Sequence, residues 1–288
     1  MKAPAWSRLL FTVSRTLSVI DRTHQIVRDE LLFAFLTPAQ RSALTFYVYE
    51  RTNSYLDGGD LFSHGLFAWE LELLDDARVP RSGRVLLGAA GGGRELLGLE
   101  KRGYDVVAFE PVLPLVNSAR QVARRPSTVV LQASYHDLVE YVRGRRGGPL
   151  DDLKPPFELC VLGWASLSHL TGLGEAVETL RAIRAIAPRA PVITSFFLRV
   201  EAGSPTRGGA RKLRGAVRRA LAKVRREEVP EGLEFFTHGG FTHAFSRDEL
   251  FQICENAGYR VGYFSQSDYP HALLLPVDNG EGSAHGDS

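Results

Sequence analysis

A cluster of glycines directly after an apolar stretch is the feature of this sequence that points most clearly to ligand binding. The segment from Val85 to Glu95 reads Val-Leu-Leu-Gly-Ala-Ala-Gly-Gly-Gly-Arg-Glu, and a helix is predicted to follow it. Glycine lets the backbone turn sharply and approach a ligand closely, and the free amides of a helix start favour a polar or anionic group. A second apolar stretch ends at Glu110, nineteen residues after Gly91, where a carboxylate can accept hydrogen bonds from a ribose diol. The glycine turn and the acid together predict a bound nucleoside.

The glycine spacing disfavours a nicotinamide dinucleotide. Gly91 and Gly93 fit the start of the pattern Gly-x-Gly-x-x-Gly, but Leu96 stands where the third glycine belongs. No tyrosine is followed by a lysine four positions later, so the Tyr-x-x-x-Lys pair of short-chain dehydrogenases is absent as well. The nucleoside is therefore predicted to belong to another cofactor.

Histidine is the side chain best suited to take a proton from a reacting group near neutral pH. Residues 237–243 read Thr-His-Gly-Gly-Phe-Thr-His. We expect this segment to fold over the pocket for the substrate, with His238 and His243 as candidate bases. His169 follows the predicted fourth strand in Ser-Leu-Ser-His-Leu. For His169, packing at the start of a helix is the favoured interpretation.

An aromatic, glycine-rich segment from Tyr55 to Glu70 lies just upstream of the first predicted strand. Its four large rings, predicted to wall a pocket for a flat substrate, belong to Tyr55, Phe62, Phe67 and Trp69. The alternative is that Phe67 and Trp69 anchor the segment to the sheet, and this is favoured for Trp69. Tyr55 is kept as a candidate catalytic group.

From Arg84 onward, seven short apolar runs alternate with longer stretches of helical periodicity. The runs are Arg84–Gly88, Asp105–Phe109, Thr128–Gln132, Phe157–Leu162, Pro191–Phe197, Tyr259–Phe264 and Ala272–Val277. This alternation predicts a parallel sheet covered by helices on both faces. Only Ser265–His271 separates the last two runs, which is too short for a crossover helix, so they are predicted to pair antiparallel. The expected fold is α/β: a doubly wound, seven-stranded, mostly parallel sheet with an antiparallel terminal hairpin.

The regions outside this alternation define the expected domain organisation. Residues 1–80 are predicted to form a helical N-terminal cap or lid, residues 81–277 the core, 199–243 a basic helical insertion within it, and 278–288 a disordered tail. Pro38 after Thr37 is typical of a helix start. An apolar stripe at helical spacing, expected to pack on the domain itself, consists of Trp6, Leu9, Leu10, Val13, Leu17 and Ile20.

Composition excludes several classes of protein. The chain has 288 residues, 35 basic and 33 acidic side chains and 44% hydrophobic residues, which excludes wholesale disorder. Its only cysteines are Cys160 and Cys254, so neither a disulfide framework nor a cysteine metal cluster can form, and no metal is predicted. Charged residues interrupt the apolar N-terminus, so neither a signal peptide nor a transmembrane helix is expected, and a cytoplasmic location is predicted.

From Val79 to Val277 the chain resembles the class I S-adenosylmethionine-dependent methyltransferases. The resemblance rests on the glycine loop, on Glu110, on the segments Val129–Leu138 and Phe157–Leu170, and on the closing helix and hairpin from Phe245. It implies S-adenosylmethionine as cofactor, with Glu110 beside Pro111 at the ribose hydroxyls. The remaining roles that it implies are the amino-acid part for Gly88, Ala89, Ala90, Gly91 and Gly93, the adenine for Ser134 and Tyr135, and the methyl group for Gly163 and Trp164.

Three positions depart from the family pattern. Leu87 stands where the family usually has an acid, and Ala89 replaces the first glycine of the motif. Ser134 stands where an acid often contacts the adenine amine.

The resemblance implies an enzyme that methylates an oxygen or nitrogen of a small molecule, a class that includes secondary metabolites. One alternative is an RNA methyltransferase that uses the basic helix at 207–226, because the stretch from Arg199 to Glu228 contains ten Arg or Lys residues and only three Glu. That stretch has no aromatic residue, so a solvated helix is favoured and nucleic acid is disfavoured as a partner. The other alternative is a module that binds the cofactor without turnover. The acceptor and the oligomeric state are left open.

Overall fold

The protein is built around a central sheet, and the computed structural model describes residues 5–199, 208–221, 231–267 and 269–277. The α-helices are Ala5–Phe35 (α1), Pro38–Tyr49 (α2), Asp60–Ser63 (α3), Ala68–Leu74 (α4), Arg94–Lys101 (α5), Leu113–Val122 (α6), Tyr135–Val142 (α7), Leu173–Ile186 (α8), Gly208–Leu221 (α9) and Arg247–Asn256 (α10). The strands are Arg84–Gly88 (β1), Asp105–Glu110 (β2), Val129–Gln132 (β3), Leu159–Leu162 (β4), Val192–Ser195 (β5), Phe197–Leu198 (β6), Leu233–Phe236 (β7), Gly240–Phe245 (β8), Tyr259–Ser265 (β9) and His271–Pro276 (β10).

The main sheet has seven strands in the order β3-β2-β1-β4-β5-β10-β9. Strands β1 to β5 pair parallel, whereas β10 runs antiparallel to both β5 and β9. The predicted doubly wound sheet with an antiparallel terminal hairpin is therefore confirmed. After β3 the chain crosses to the other side of β1, so the strand order reverses between β1 and β4. Ligands of open α/β sheets bind at such a reversal, outside the carboxyl ends of the strands.

The register of β1 places the glycine turn beside the end of β2. Gly88 pairs with Phe109 on one side and with Leu162 on the other. Because Gly88 is the last residue of β1, the turn begins at the level of Glu110. The turn that follows β1 and the last residue of β2 therefore meet at one edge of the sheet.

The core lies on both faces of the sheet, as expected for parallel strands. Successive residues of β1 enter opposite apolar layers: Leu86 packs with one cluster, while Val85 and Leu87 pack with the other. All three side chains are at most 1% exposed. Leu87 is therefore a core residue, and its side chain does not face a ligand.

The N-terminal region is helical in its described part. Helix α2 begins at Pro38, and Thr37 caps it through a capping box with Gln40, which confirms the predicted helix start. The prediction that the apolar stripe of α1 packs on the domain is wrong for Val13, Leu17 and Ile20, which are 46–60% exposed. The buried face of α1 comes later in the helix, where Ile26 and Phe33 are 4% and 3% exposed. Side chains of residues 1–12 lie outside the described set.

The segment between β5 and β9 contains a small second sheet besides the predicted helix. Its order is β6-β8-β7, with β8 parallel to β6 and antiparallel to β7. Helix α9 packs against α1, and Arg214 lies 3.9 Å from Glu234 of β7. The rest of the predicted basic stretch and the predicted disordered tail lie outside the described residues.

Candidate functional site

A cavity of about 590 Å³ opens at the carboxyl ends of β1, β2 and β4. Its floor is formed by the turn after β1 and by Glu110 at the end of β2. Its roof is formed by α2 and by the aromatic segment that follows it, through side chains such as Phe46 and Tyr55. The cavity therefore lies where the reversal of strand order predicts a ligand site.

The glycine turn exposes backbone to this cavity. Gly91 has φ +53°, and a Cβ on it would meet no atom within 4 Å, because the residue faces open space. A Cβ on Gly92 would lie 2.0 Å from the carbonyl oxygen of Tyr55, so this glycine allows the aromatic segment to rest on the turn. Ala89, which also lines the cavity, has φ +52°, a left-handed conformation that normally favours glycine.

Glu110 is held at the cavity wall by two backbone amides. Its Oε2 accepts from Gly91 N at 3.0 Å, and its Oε1 accepts from Val112 N at 3.0 Å. The side chain is 5% exposed, and burial raises the pKa of this carboxyl to about 7 although both amide hydrogen bonds lower it. An ionised carboxylate offers about four lone-pair sites, so two amides leave room for the two hydroxyls of a diol.

Tyr135 forms a wall next to Glu110. Its ring packs edge-on against Phe109, and its hydroxyl lies 2.7 Å from the Ser166 hydroxyl. A Cβ on Gly88 would come within 2.8 Å of the Tyr135 ring, so Gly88 is the residue that lets this ring pack. Ser134 caps α7, and its hydroxyl accepts from Asp137 N. Gly88 therefore supports the site from behind, while Ser134 and Tyr135 line it.

The turn after β4 forms the opposite wall. Gly163 packs against the glycine turn, since a Cβ on it would lie 2.1 Å from the Ala89 carbonyl oxygen. Trp164 follows, and its ring packs against Phe67 at 5.6 Å and against Tyr269 at 5.5 Å. The ring of Trp164 is thus fixed by aromatic neighbours where it lines the cavity.

A buried ion-pair network joins the aromatic segment to the glycine turn. Arg94 binds both oxygens of Glu70 at 2.7 Å, and its Nη2 also donates to Glu95 at 2.6 Å. The three side chains are 3–7% exposed. Burial raises the pKa of Glu70 to about 7, against the lowering effect of Arg94. Glu95 also accepts from Trp164 N at 3.1 Å, so one carboxylate ties α5 to the turn after β4.

A tyrosine and a histidine are hydrogen-bonded on the roof side of the cavity. Nδ1 of His169 lies 2.9 Å from the Phe241 carbonyl oxygen, which can only accept, so Nδ1 carries the proton. Nε2 of the neutral ring is then an acceptor, and the Tyr49 hydroxyl donates to it at 2.8 Å. Burial lowers the pKa of His169, which keeps the ring neutral at pH 7. The Tyr55 ring packs on Tyr49 at 5.4 Å, so all three side chains share one wall.

No family model matches this sequence, and no curated protein matches it significantly. Solved structures do match. The 1,6-didemethyltoxoflavin N1-methyltransferase of Burkholderia thailandensis, solved with 1,6-didemethyltoxoflavin and S-adenosylhomocysteine, has a TM-score of 0.53 and 16% identity, over 85% of this chain and 92% of that one. A sugar N-methyltransferase from Streptoalloteichus has a TM-score of 0.51 and 15% identity, over 76% of this chain and 92% of that one. The chain has the class I methyltransferase fold.

In this methyltransferase fold, the cavity brings together most of the residues predicted from the resemblance, together with Tyr55, which was predicted from the aromatic segment. Those that line it are Tyr55, Ala89, Gly91, Glu110, Pro111, Ser134, Tyr135 and Trp164. The other four predicted positions, which do not line it but pack behind it, are Gly88, Ala90, Gly93 and Gly163. Gly93 is the N-cap residue before α5 and has φ +99°, and a Cβ on it would lie 3.0 Å from Ala119 Cα, so its role is to shape the turn.

The structure does not support His238 and His243 as bases. They belong to the hairpin of β7 and β8, which packs against α2, and neither histidine lines the cavity. His238 is exposed in the hairpin turn. His243 is fully buried in β8, with its ring 4.6 Å from Phe245 and its Nε2 3.7 Å from Glu249. The segment 237–243 does not fold over the cavity because Leu233–Phe236 and Gly240–Phe245 pair as antiparallel strands.

The aromatic side chains of the segment have two different roles: some line the cavity, and others anchor the segment to the sheet. Tyr55 and Phe62 line the cavity, as predicted. Phe67 packs on Trp164 and lies 4.1 Å below the Arg94 guanidinium, so it anchors the segment. Trp69 is 6% exposed and stacks on His271 at 5.1 Å, which confirms the favoured anchoring role.

The sequence analysis did not predict that Tyr49, Arg94 and Glu95 line the site, nor that His169 accepts a hydrogen bond there. Arg94 and Glu95 directly follow the glycine cluster, so their place in the first turn of a helix beside the ligand was the available clue. Tyr49 carried no comparable clue, because α2 is remote in sequence. In the described part of the chain, no helix is long and apolar enough to span a bilayer. Nor do these residues include a group of three or more His, Cys, Asp or Glu side chains that could hold a metal ion.

Proposed function

We propose that this protein is an S-adenosylmethionine-dependent methyltransferase that acts on an oxygen or nitrogen of a small molecule. The observation that carries the proposal is Glu110, a buried carboxylate at the tip of β2 that lines the cavity and binds the amide of Gly91 in the glycine turn. A diol acceptor and a bare backbone turn at the reversal of strand order are what a nucleoside cofactor requires.

The residues present fit this cofactor. Glu110 can accept from both ribose hydroxyls, and hydrogen bonds to its ionised form would oppose the rise in pKa that burial causes. Tyr135 and Val112 provide flat and apolar walls beside it. When bound, S-adenosylmethionine supplies an electrophilic methyl group on a sulfonium. The chain's own contribution is to orient the acceptor in line with that group and to exclude water.

The roof of the cavity favours a compact, partly apolar acceptor. Helix α2 presents Ala39, Ala43 and Phe46 to the cavity, and Phe62 adds a second ring. A volume of about 590 Å³ is typical of sites for small molecules. Of the two solved methyltransferases named above, one was solved with 1,6-didemethyltoxoflavin bound and the other is a sugar N-methyltransferase.

Tyr49 and His169 provide a route for a proton. An acceptor hydroxyl or amine that donates to the Tyr49 oxygen can lose its proton while Tyr49 passes its own to Nε2 of His169. The carbonyl of Phe241 holds the ring in the tautomer that this transfer needs. His169 thus takes the role that sequence reasoning assigned to His238 and His243.

The proposal is tested by calorimetry with S-adenosylmethionine and S-adenosylhomocysteine, followed by mass detection of methylated products from a metabolite extract. Glu110→Ala is expected to weaken binding about ten- to a hundredfold, because a charged hydrogen-bond partner is worth about 1.5–3 kcal/mol. Absence of binding by the unmodified protein would refute the proposal. Binding without any product would instead support the module without turnover, and a methylated RNA would support the alternative use of the 207–226 segment.

A further inference from the structure

The buried network at the start of α5 holds two carboxyl groups and one guanidinium. Arg94 contributes one positive charge, while Glu70 and Glu95 contribute two negative charges when both are ionised. All three side chains are less than a tenth exposed. A buried net charge is costly unless a countercharge lies nearby. Among the described residues, no second basic side chain forms an ion pair with either carboxylate.

Only one of the two carboxylates faces the cavity. Glu95 lines it, whereas Glu70 lies behind Arg94 on α4. Within the first turn of α5, Glu95 stands two residues after Gly93, at the end of the glycine turn. Its Oε1 is held by Arg94 and by the amide of Trp164, so the carboxylate is fixed in position.

Residue 87 cannot provide this charge. Leu87 occupies the position where the family has an acid, and its side chain is fully buried in the apolar layer on one face of the sheet. The cavity wall near the glycine turn has two carboxylates, Glu110 and Glu95. Glu110 is already assigned to the ribose, so Glu95 is the group left for a cationic part of the ligand.

We propose that Glu95 binds the α-ammonium group of the cofactor, in place of the acid that is absent at residue 87. The inference rests on the proposed function. An ammonium group fits better than the sulfonium because it donates hydrogen bonds, and a carboxylate held by two N–H donors still has lone pairs to accept them. Its positive charge would balance the network of Arg94, Glu70 and Glu95.

The test compares three probes that differ in the part that Glu95 would bind. They are S-adenosylhomocysteine, its desamino analogue, and 5′-methylthioadenosine, which lacks the amino-acid part altogether. In the unmodified protein, the desamino analogue is expected to bind at least tenfold more weakly than S-adenosylhomocysteine. In Glu95→Gln, S-adenosylhomocysteine is expected to lose at least tenfold in affinity and to bind no better than the desamino analogue, while methylthioadenosine binds within about twofold of normal.

Glu100→Gln is the matched control. Glu100 is also a buried carboxylate of α5, but it accepts from the amides of Arg124 and Arg125 and does not line the cavity. This variant is expected to bind all three probes normally. Equal losses for S-adenosylhomocysteine and methylthioadenosine in Glu95→Gln would show a general distortion of the site and overturn the inference, as would unchanged affinities.

Two further results complete the test. If Glu95→Gln does not fold, equal affinity of the unmodified protein for S-adenosylhomocysteine and its desamino analogue overturns the inference without any variant, and a tenfold preference supports it. If the unmodified protein binds none of the three probes, the proposed function itself has failed. These outcomes separate an error about Glu95 from an error about the cofactor.

Discussion

The hydroxyl of Tyr49 and Nε2 of His169 lie 2.8 Å apart, although 120 residues separate them in the chain. Tyr49 ends α2, and His169 ends the 3-10 turn Ser166–His169 after β4. Their hydrogen bond closes the roof of the cavity onto the sheet. It also provides the proton path of the proposed reaction.

Tyr49→Phe should therefore slow methyl transfer without affecting the cofactor. We expect kcat for an acceptor found in the metabolite screen to fall about a hundredfold, which is the usual scale of general base catalysis. Affinity for S-adenosylhomocysteine should stay within about twofold. Tyr47→Phe is the control, because Tyr47 lies on the same helix but is 48% exposed and does not line the cavity. Equal kcat in the two variants would remove Tyr49 from the mechanism.

Glu110 should make the stability of the free protein depend on pH. Its folded pKa of about 7 exceeds the ordinary value of 4.5, so the folded state holds an extra proton between these values. The contribution of Glu110 is most favourable below pH 4.5 and is lost as the pH rises through 7. Glu110→Gln should remove this loss, so that its stability relative to the unmodified protein increases from pH 5 to pH 8 by up to about 3 kcal/mol.

The difference between the two proteins is the quantity to measure, by urea unfolding at pH 5, 6, 7 and 8. It cancels the opposite contribution of His169, whose pKa is lowered by burial and which therefore favours folding at higher pH. A stability difference that does not change with pH would show that Glu110 is not perturbed.

Gly91→Val should abolish cofactor binding but leave a cooperative unfolding transition. Its side chain would enter the cavity, and the positive φ of Gly91 makes any Cβ unfavourable by about 1–2 kcal/mol. Gly103→Val is the matched control, since Gly103 also has a positive φ and open space around its Cβ but lies outside the cavity. Both variants should lose similar stability, and only Gly91→Val should lose binding in calorimetry. Normal binding by Gly91→Val would place the ligand elsewhere.

Ala89→Gly should stabilise the protein, whereas Ala90→Gly should destabilise it. Ala89 has φ +52°, which costs an alanine about 1–2 kcal/mol, and the greater freedom of glycine in the unfolded chain offsets about 0.4–1 kcal/mol of the gain. We expect a net increase of up to about 1.6 kcal/mol. Ala90 is fully buried, so its loss of a methyl group should lower the free energy of unfolding by about 1 kcal/mol. Urea unfolding distinguishes the opposite signs, and equal losses would contradict the strain at Ala89.

The main sheet, the glycine turn and the contact of that turn with Glu110 could all be predicted from the amino-acid sequence. These features follow from local patterns: apolar runs set the strands, glycines set the turn, and parallel pairing brings neighbouring strand ends to one edge. The place of Glu95 in the site could also have been predicted, because Glu95 lies two residues after the last glycine of the cluster.

The side chains from distant segments that share the cavity could not be predicted in this way. Tyr49 meets His169, and Arg94 meets Glu70, through packing of the N-terminal helices on the sheet. His243 is instead buried because β8 pairs with β7 in a separate small sheet. Such contacts depend on how whole elements pack against one another, and neither periodicity nor spacing along the chain encodes that arrangement for a single residue.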